Sequence, residues 1–269
     1  MMEALTAGLF GLLIGSFLNV CIFRLPRDLS VVRPARSFCP GCEKTIAWYD
    51  NIPLLSYALL GGRCRFCRES IPARYPLVEA ITGLLFFTVV YYRGWNLAGL
   101  KLCVFAAIMV DLIFTDMEER ILPDEFTLGG AAVGLILAAF SPPASNLAVL
   151  VAPAAWPVWT HGVVEGALGA GVSAGMLWLV GAVYMRLRDR EGLGLGDVKM
   201  MLTIGAFLGL PGALLTVFAG SVVGAIGGAL FIWLSRRDMG YELPFGSFLG
   251  GAALFGAIFG DPILSWYWG

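Results

Sequence analysis

The sequence predicts an all-α fold, a polytopic membrane helical bundle of about eight transmembrane helices carrying one small zinc-binding loop domain. Three observations predict it. Hydrophobic residues make up 58% of the 269 positions and charged ones only 14%, with a mean hydropathy of +0.81, a balance that excludes a water-soluble surface of ordinary polarity. The apolar runs are continuous rather than alternating, which argues against a β-barrel. Lys and Arg also fall almost entirely on one side of the helices that those runs imply.

Taken in order, the apolar runs place spans near 4–23, 75–92, 98–115, 126–140, 162–185, 199–210, 212–234 and 246–262, each sized against a bilayer core of about 30 Å that takes roughly 20 residues. The first could pass for a signal peptide by length. It lacks a basic leader and a small-residue cleavage site, so it reads as a retained helix. Pro211-Gly212 reads as a tight turn between the sixth and seventh spans. With the N-terminus outside, sixteen of the eighteen basic residues, from Arg24 to Arg74, then Arg120, Arg186, Arg188, Arg190, Lys199, Arg236 and Arg237, lie on the cytoplasmic side, and only Arg93 and Lys101 lie opposite. That is the positive-inside pattern.

Two segments stand outside the spans. Residues 24–74 form a polar cytoplasmic loop too small to build a strong apolar core without a staple. Residues 141–161 form an outer insertion with Pro142, Pro143, Pro153 and Pro157 beside Trp156 and Trp159. Prolines favour irregular backbone and tryptophans favour the interface, so this reads as a membrane-hugging loop with no chemistry of its own.

Inside the polar loop, Cys39-Pro-Gly-Cys42 and Cys64-Arg-Phe-Cys67 make two CxxC knuckles separated by 21 residues. The spacing is close to that of a four-thiolate structural zinc site, and metal binding would supply folding free energy that the loop lacks. A reducing compartment argues against disulfides. A redox-active dithiol and unbound cysteines are the alternatives. Cys21 and Cys103 lie in apolar runs and read as small packed hydrophobes.

Ionisable groups in or beside spans are costly, so each acid there is a functional candidate: Glu79, Asp111, Asp116, Asp124, Glu165 and Asp197. Asp197 ends Gly192-Leu-Gly194-Leu-Gly196-Asp197, where glycines permit close approach of an extended backbone. The pattern is not GxGxxG and follows no strand, which makes a dinucleotide site a weak reading. Asp116 closes the third span, and the topology places it on the face that carries Asp197. Two carboxylates held close do not both ionise easily. One then takes a proton from water while the other polarises a carbonyl, and no nucleophilic Ser or Cys is needed. Asp111, five residues earlier, is the second choice for a catalytic or substrate-contacting acid. Asp124 after Pro123 reads as a helix cap, and Glu118 and Glu119 as solvated loop charges. His161, the only histidine, falls on the outer side.

In this order the motifs resemble the type IV prepilin peptidases. The resemblance spans nearly the whole chain: Gly15-Ser-Phe-Leu-Asn-Val20 with Arg24-Leu-Pro26, both CxxC pairs, Asn51-Ile-Pro-Leu-Leu-Ser-Tyr57, Arg74-Tyr-Pro-Leu-Val-Glu79, Asp116 with Leu122-Pro123-Asp124, Gly194-Leu-Gly196-Asp197-Val-Lys199, and Pro244-Phe-Gly246. It implies a GxGD-type aspartic peptidase of the bacterial inner membrane with Asp116 and Asp197 as catalytic pair, the loop glycines Gly194 and Gly196 in support, and the active site on the cytoplasmic side. It further implies prepilin or pseudopilin substrates of type IV pilus or type II secretion systems, cut after a glycine, and S-adenosylmethionine as donor for methylation of the new N-terminus. Residues 1–92, with the 24–74 loop, are then the N-methyltransferase part, and 93–269 the peptidase part; Glu79 is a candidate contact for substrate or donor in the first of these, with a buried structural ion pair to a nearby arginine as the alternative. Membrane lipid is an expected partner and nucleic acid is not. Two features depart from the family pattern: the 141–161 insertion, and Ser247 where a proline often follows Pro-Phe-Gly. The rival classes are a membrane transporter using intramembrane acids, which would depend on Asp111 or Glu165, and a zinc-dependent scaffold, which would tolerate loss of both aspartates.

Overall fold

The structure, a computed structural model, describes residues 1–34, 36–143, 147–153, 155–189, 193–235 and 244–268. The basic residues Arg190, Arg236 and Arg237 and the first glycine of the glycine run, Gly192, lie outside the described residues. Regular structure among those described is helical, in the order α1 (Met2–Arg24), α2 (Leu55–Leu59), α3 (Arg74–Arg93), α4 (Leu97–Glu119), α5 (Asp124–Phe140), α6 (Val158–Arg188), α7 (Leu195–Ser235) and α8 (Phe245–Trp268). Five stretches are long and apolar enough to cross a membrane: Met2–Arg27, Arg74–Arg93, Leu97–Glu119, Val158–Arg188 and Leu195–Phe231. The expected count of about eight is not reached on that measure. α5 has only 17 residues, the apolar part of α8 is the shorter Phe245–Gly260, and the predicted sixth and seventh spans share α7.

The break inside α7 falls at Gly209 (φ 68°, ψ −178°) and not at Pro211-Gly212. Positive φ is a conformation that glycine adopts without strain. Pro211 instead sits in the first turn after the break, where a residue lacking an N–H leaves no bond unmade. Two other local readings change. α6 begins at Val158, so the end of the outer insertion is helical, started by Pro157. Asp124 is the first residue of α5 with Pro123 before it and makes no cap bond, while Glu118 and Glu119 close α4 rather than standing in a loop.

The chain divides into two compact units, Met1–Phe114 and Thr115–Gly269. In the first, α1 packs on α3 through glycine. A methyl placed on Gly15 would lie 2.7 Å from Glu79 Cα, and one on Gly11 would lie 2.7 Å from the Thr82 carbonyl, so only bare backbone permits this approach. Asn19, buried in α1, clamps the seam by donating from Nδ2 to the Tyr75 carbonyl at 3.0 Å. At the end of α1 the buried Arg24 gathers the following loop, its Nη1 donating to the carbonyls of Ser30, Val31 and Pro34 at 3.0 Å each. A buried guanidinium is tolerable because its donors are met. The Asn51–Tyr57 motif is fixed similarly: Ser56 Oγ donates to the Tyr49 carbonyl at 2.8 Å and accepts from Ile52 N–H at 2.9 Å.

In the second unit α7 packs against α5, α6 and α8 around the fully buried Met200, Met201, Ile204, Phe207 and Leu249. Thr203 Oγ1, also buried, donates to the Thr127 carbonyl of α5. The outer insertion has an anchor: the Ala148 N–H donates to Glu165 Oε1 of α6 at 2.8 Å, with Glu165 itself buried. This bond gives the intramembrane Glu165 a structural task, as a polar group out of water requires a partner.

Candidate active site and cysteine cluster

Three helix ends meet at the carboxylates of the second unit. Asp116 lies one turn from the end of α4 and is 6% exposed. Asp197 is the third residue of α7, its N–H donating to the Gly194 carbonyl at 3.2 Å. The first turn of α8 supplies Gly246 and Ser247. A methyl placed on Gly246 would lie 3.1 Å from Asp116 Oδ2 and 3.2 Å from Asp197 Oδ1. Those two oxygens are therefore separated by no more than the sum of these distances, and glycine is what leaves them room.

Asp116 Oδ2 accepts twice from Ser247, from its N–H at 2.7 Å and its hydroxyl at 2.9 Å. The N–H is one of the groups at a helix start that no helical carbonyl can satisfy, and it carries the positive end of the helix dipole. The glycines before Asp197 have separable tasks. Gly196 packs its bare Cα toward Leu122, whose Cδ1 would be 3.1 Å from an added methyl. Gly194 provides the carbonyl that closes the turn. Beside them, Lys199 of α7 reaches Asp124 of α5 with Nζ at 2.7 and 3.0 Å from its two oxygens.

Of the acids singled out in the sequence, Asp116 and Asp197 are thus brought together. Asp111 is fully buried in the first unit; five residues of helix turn it about 140° from Asp116, so α4 does not present both to one point. Glu79, also in the first unit, accepts from the Leu54 N–H at 2.8 Å, which holds a loop residue of positive φ (60°). In the sequence Ser247 stands out only as a departure from the family pattern. Its contact with Asp116 spans 131 positions, and the one local signal was a polar residue in the first turn of a helix.

The four loop cysteines converge. Their sulfurs all lie within 4.8 Å of one another, with Cys39 Sγ and Cys67 Sγ 3.7 Å apart. A tetrahedral zinc with bonds of about 2.3 Å sets its sulfurs about 3.8 Å apart, so the residues fit the metal. The two knuckles are built alike. Cys39 N–H donates to Lys44 O and Glu43 N–H to Cys39 O, just as Cys64 N–H donates to Glu69 O and Arg68 N–H to Cys64 O, and the residue after each second cysteine, Glu43 or Arg68, has positive φ. The N–H groups of Cys67 and Phe66, aimed at Cys64, pull its thiol down to about 6, whereas, against the pull of the Glu69 N–H, burial and the neighbouring sulfurs push Cys67 up to about 12, since sulfurs crowded together do not all ionise without a cation among them. A bidentate pair ties the loop together, Arg65 Nε and Nη2 donating to Asp50 at 2.7 and 2.5 Å. Those bonds hold the Asp50 carboxyl below its usual range.

Five helices long and apolar enough to cross a membrane, among described residues whose regular structure is helical, indicate the class of multi-pass membrane proteins, here with a carboxylate pair at helix ends and a four-cysteine cluster. Comparison with known proteins gives the family. Residues 9–93 match the bacterial peptidase A24 N-terminal domain and residues 103–229 match the type IV leader peptidase family. A prepilin leader peptidase/N-methyltransferase of Myxococcus xanthus is 37% identical over 84% of this chain and 62% of its own length. Proteins of the same description are 34% identical in Aeromonas salmonicida, over 96% of this chain and 91% of the relative, and 31% identical in Legionella pneumophila, over 98% and 94%. No solved structure matches. The chain belongs to the type IV leader peptidase family, and its enzyme class is that of the bacterial prepilin peptidase/N-methyltransferases, multi-pass membrane proteins.

Proposed function

We propose that this protein cleaves the leader from type IV prepilins or type II secretion pseudopilins after a glycine, using Asp116 and Asp197, and then methylates the new N-terminal amine with S-adenosylmethionine. The observation that carries the peptidase half is the approach of both carboxylates to Gly246. With one proton shared between them, the ionised acid takes a proton from water, and the water oxygen bonds to the scissile carbonyl carbon while the protonated acid donates to the carbonyl oxygen. In the second step the first acid returns its proton to the leaving nitrogen as the C–N bond breaks. The substrate's apolar helix lies among the spans while its leader stays on the cytoplasmic side, bringing the bond to the helix ends. Asp111 is the second candidate for contacting it.

The cysteines Cys39, Cys42, Cys64 and Cys67 hold a structural zinc that stabilises the loop of the N-terminal part, residues 1–92. S-adenosylmethionine, when bound, supplies the methyl group. Glu79 is the proposed substrate or donor contact there, its carboxylate fixed by the Leu54 N–H.

Cleavage of a prepilin in detergent or lipid by wild type, Asp116→Asn and Asp197→Asn tests the central claim. Both variants are expected to be inactive. Full cleavage by either one would remove the dyad and return the transporter and scaffold readings.

A further inference from the structure

The seam between α1 and α3 in the first unit carries a polar cluster with acceptors to spare. Asn19 of α1 is 2% exposed, and its Nδ2 donates to the Gly15 carbonyl at 3.3 Å and to the Tyr75 carbonyl at 3.0 Å. Two carbonyls can be met only by the amino branch of the amide, so its orientation is fixed and Oδ1 is the branch left to accept. Among the described residues no donor reaches that oxygen. Tyr75 and Glu79 stand four residues apart on α3, so the carbonyl that holds Asn19 is the one that accepts the helical N–H of Glu79. Ser16, one turn before Asn19, lays its hydroxyl against the Glu79 carboxylate. Glu79 is 8% exposed and accepts from the Leu54 N–H at 2.8 Å, and no Lys or Arg among the described residues forms an ion pair with it.

We propose that Asn19 Oδ1 and the Glu79 carboxylate form a binding site for a primary ammonium group. This rests on the methyl-transfer reading and sharpens the contact assigned to Glu79 by naming the group it takes. An amide oxygen can only accept, and a carboxylate offers four lone-pair sites of which the two donors already present fill half. Buried acceptors of this kind call for a partner rich in N–H donors, and the carboxylate calls for a positive one. An ammonium supplies three donors and the charge together. A metal ion is a poorer match, because one amide oxygen and one carboxylate fall well short of the six or more oxygens that a hard cation takes. Ser16 and Tyr75 are only half-buried, which leaves the cluster an edge toward the outside of the helix pair. Asn19 stands five residues before Arg24, about 7.5 Å inside the end of its helix. Two sources carry the required group: the N-terminal amine that leader cleavage frees at the start of an apolar segment, and the α-ammonium of S-adenosylmethionine.

Binding is measured by calorimetry on the full chain in lipid nanodiscs with two matched pairs of probes. One is a leaderless peptide with a free N-terminus against its N-acetylated form; the other is S-adenosylhomocysteine against its analogue lacking the α-amino group. Loss of the amine is expected to weaken binding to wild type by about tenfold or more in one of the pairs, and the pair affected names the source. Glu79→Gln keeps an oxygen for the Leu54 N–H and removes the charge, while Asn19→Ala removes the amide oxygen. Each should bring that discrimination below about threefold. Asn19 also clamps the seam, so thermal unfolding of each variant is compared with wild type, and if Asn19→Ala does not fold, Glu79→Gln decides. Equal binding of both members of both pairs by wild type, or full discrimination kept by either folded variant, overturns the site and leaves the cluster as packing that holds water. A wild type that transfers no methyl group to the leaderless peptide overturns the methyl-transfer reading itself, so the two failures are told apart.

Discussion

The cysteine loop of the first unit and the carboxylate pair of the second bring polar groups together by opposite routes. Each knuckle of the loop is local: a cysteine, a turn, a second cysteine and one residue of positive φ, made twice with the same hydrogen bonds. Only the meeting of the two knuckles spans sequence distance. The carboxylates are held by three helices that begin or end far apart in the chain, and the bonds fixing Asp116 come from Ser247, 131 positions away. A local site needs a staple to persist, whereas a site made of helix ends takes its rigidity from packing and needs bare glycine where the ends converge.

Breaking the pair should therefore have the largest effect. Asp116→Asn or Asp197→Asn is expected to lower kcat for leader cleavage by at least about a thousandfold, because each removes one half of the proton exchange; a peptide assay followed by mass spectrometry measures it. Next comes Gly246→Ala, whose methyl would meet both carboxylates at 3.1 to 3.2 Å. A fall of about 10–100-fold in kcat with little change in melting temperature is expected, since misplacement rather than unfolding is the damage. Wild-type turnover would mean that the carboxylates need not converge there.

The loop should respond differently. Replacing Cys39 and Cys64 with serine is expected to abolish stoichiometric zinc, read by elemental analysis, to expose residues 24–74 to protease and to abolish methyl transfer, with cleavage reduced only a few-fold. Unchanged metal content would remove the four-thiolate site. The smallest effect belongs to the Asp124 and Lys199 pair, whose side chains are 56% and 37% exposed. Such pairs contribute about 0–1 kcal/mol, so Asp124→Asn or Lys199→Gln should change kcat by less than about threefold and lose even that difference in high salt.

The same contrast governs what could be read from the sequence. The four cysteines were legible because their spacing is itself the local geometry. Asp197 was legible through its glycines, and the apolar runs foretold where helices stand because solvent, not neighbours, dictates them. Choosing Asp116 over Asp111 needed the wider motif pattern, since both are acids on one apolar helix; the structure adds only that Asp116 approaches Gly246 together with Asp197 and that five helical residues turn Asp111 about 140° away. Ser247, Gly246 and the Ala148 bond to Glu165 were out of reach because each acquires its meaning from a distant partner. The position of the break in α7 was missed for a different reason: Pro211 is the louder local signal, yet proline is harmless at a helix start and the backbone demand falls on Gly209.

That break also sets a thickness. From Leu195 to Gly209 the helix carrying Asp197 has about 14 residues, roughly 21 Å at 1.5 Å per residue, against a hydrocarbon slab of about 30 Å. The break and the aspartate end cannot both reach opposite surfaces of an undeformed bilayer. Either lipid thins around this part of the protein or one end of the half-helix stands inside the slab; for the proposed peptidase, a thinned bilayer or a sunken aspartate end would shorten the distance between a peptide bond at the mouth of an apolar segment and the acid.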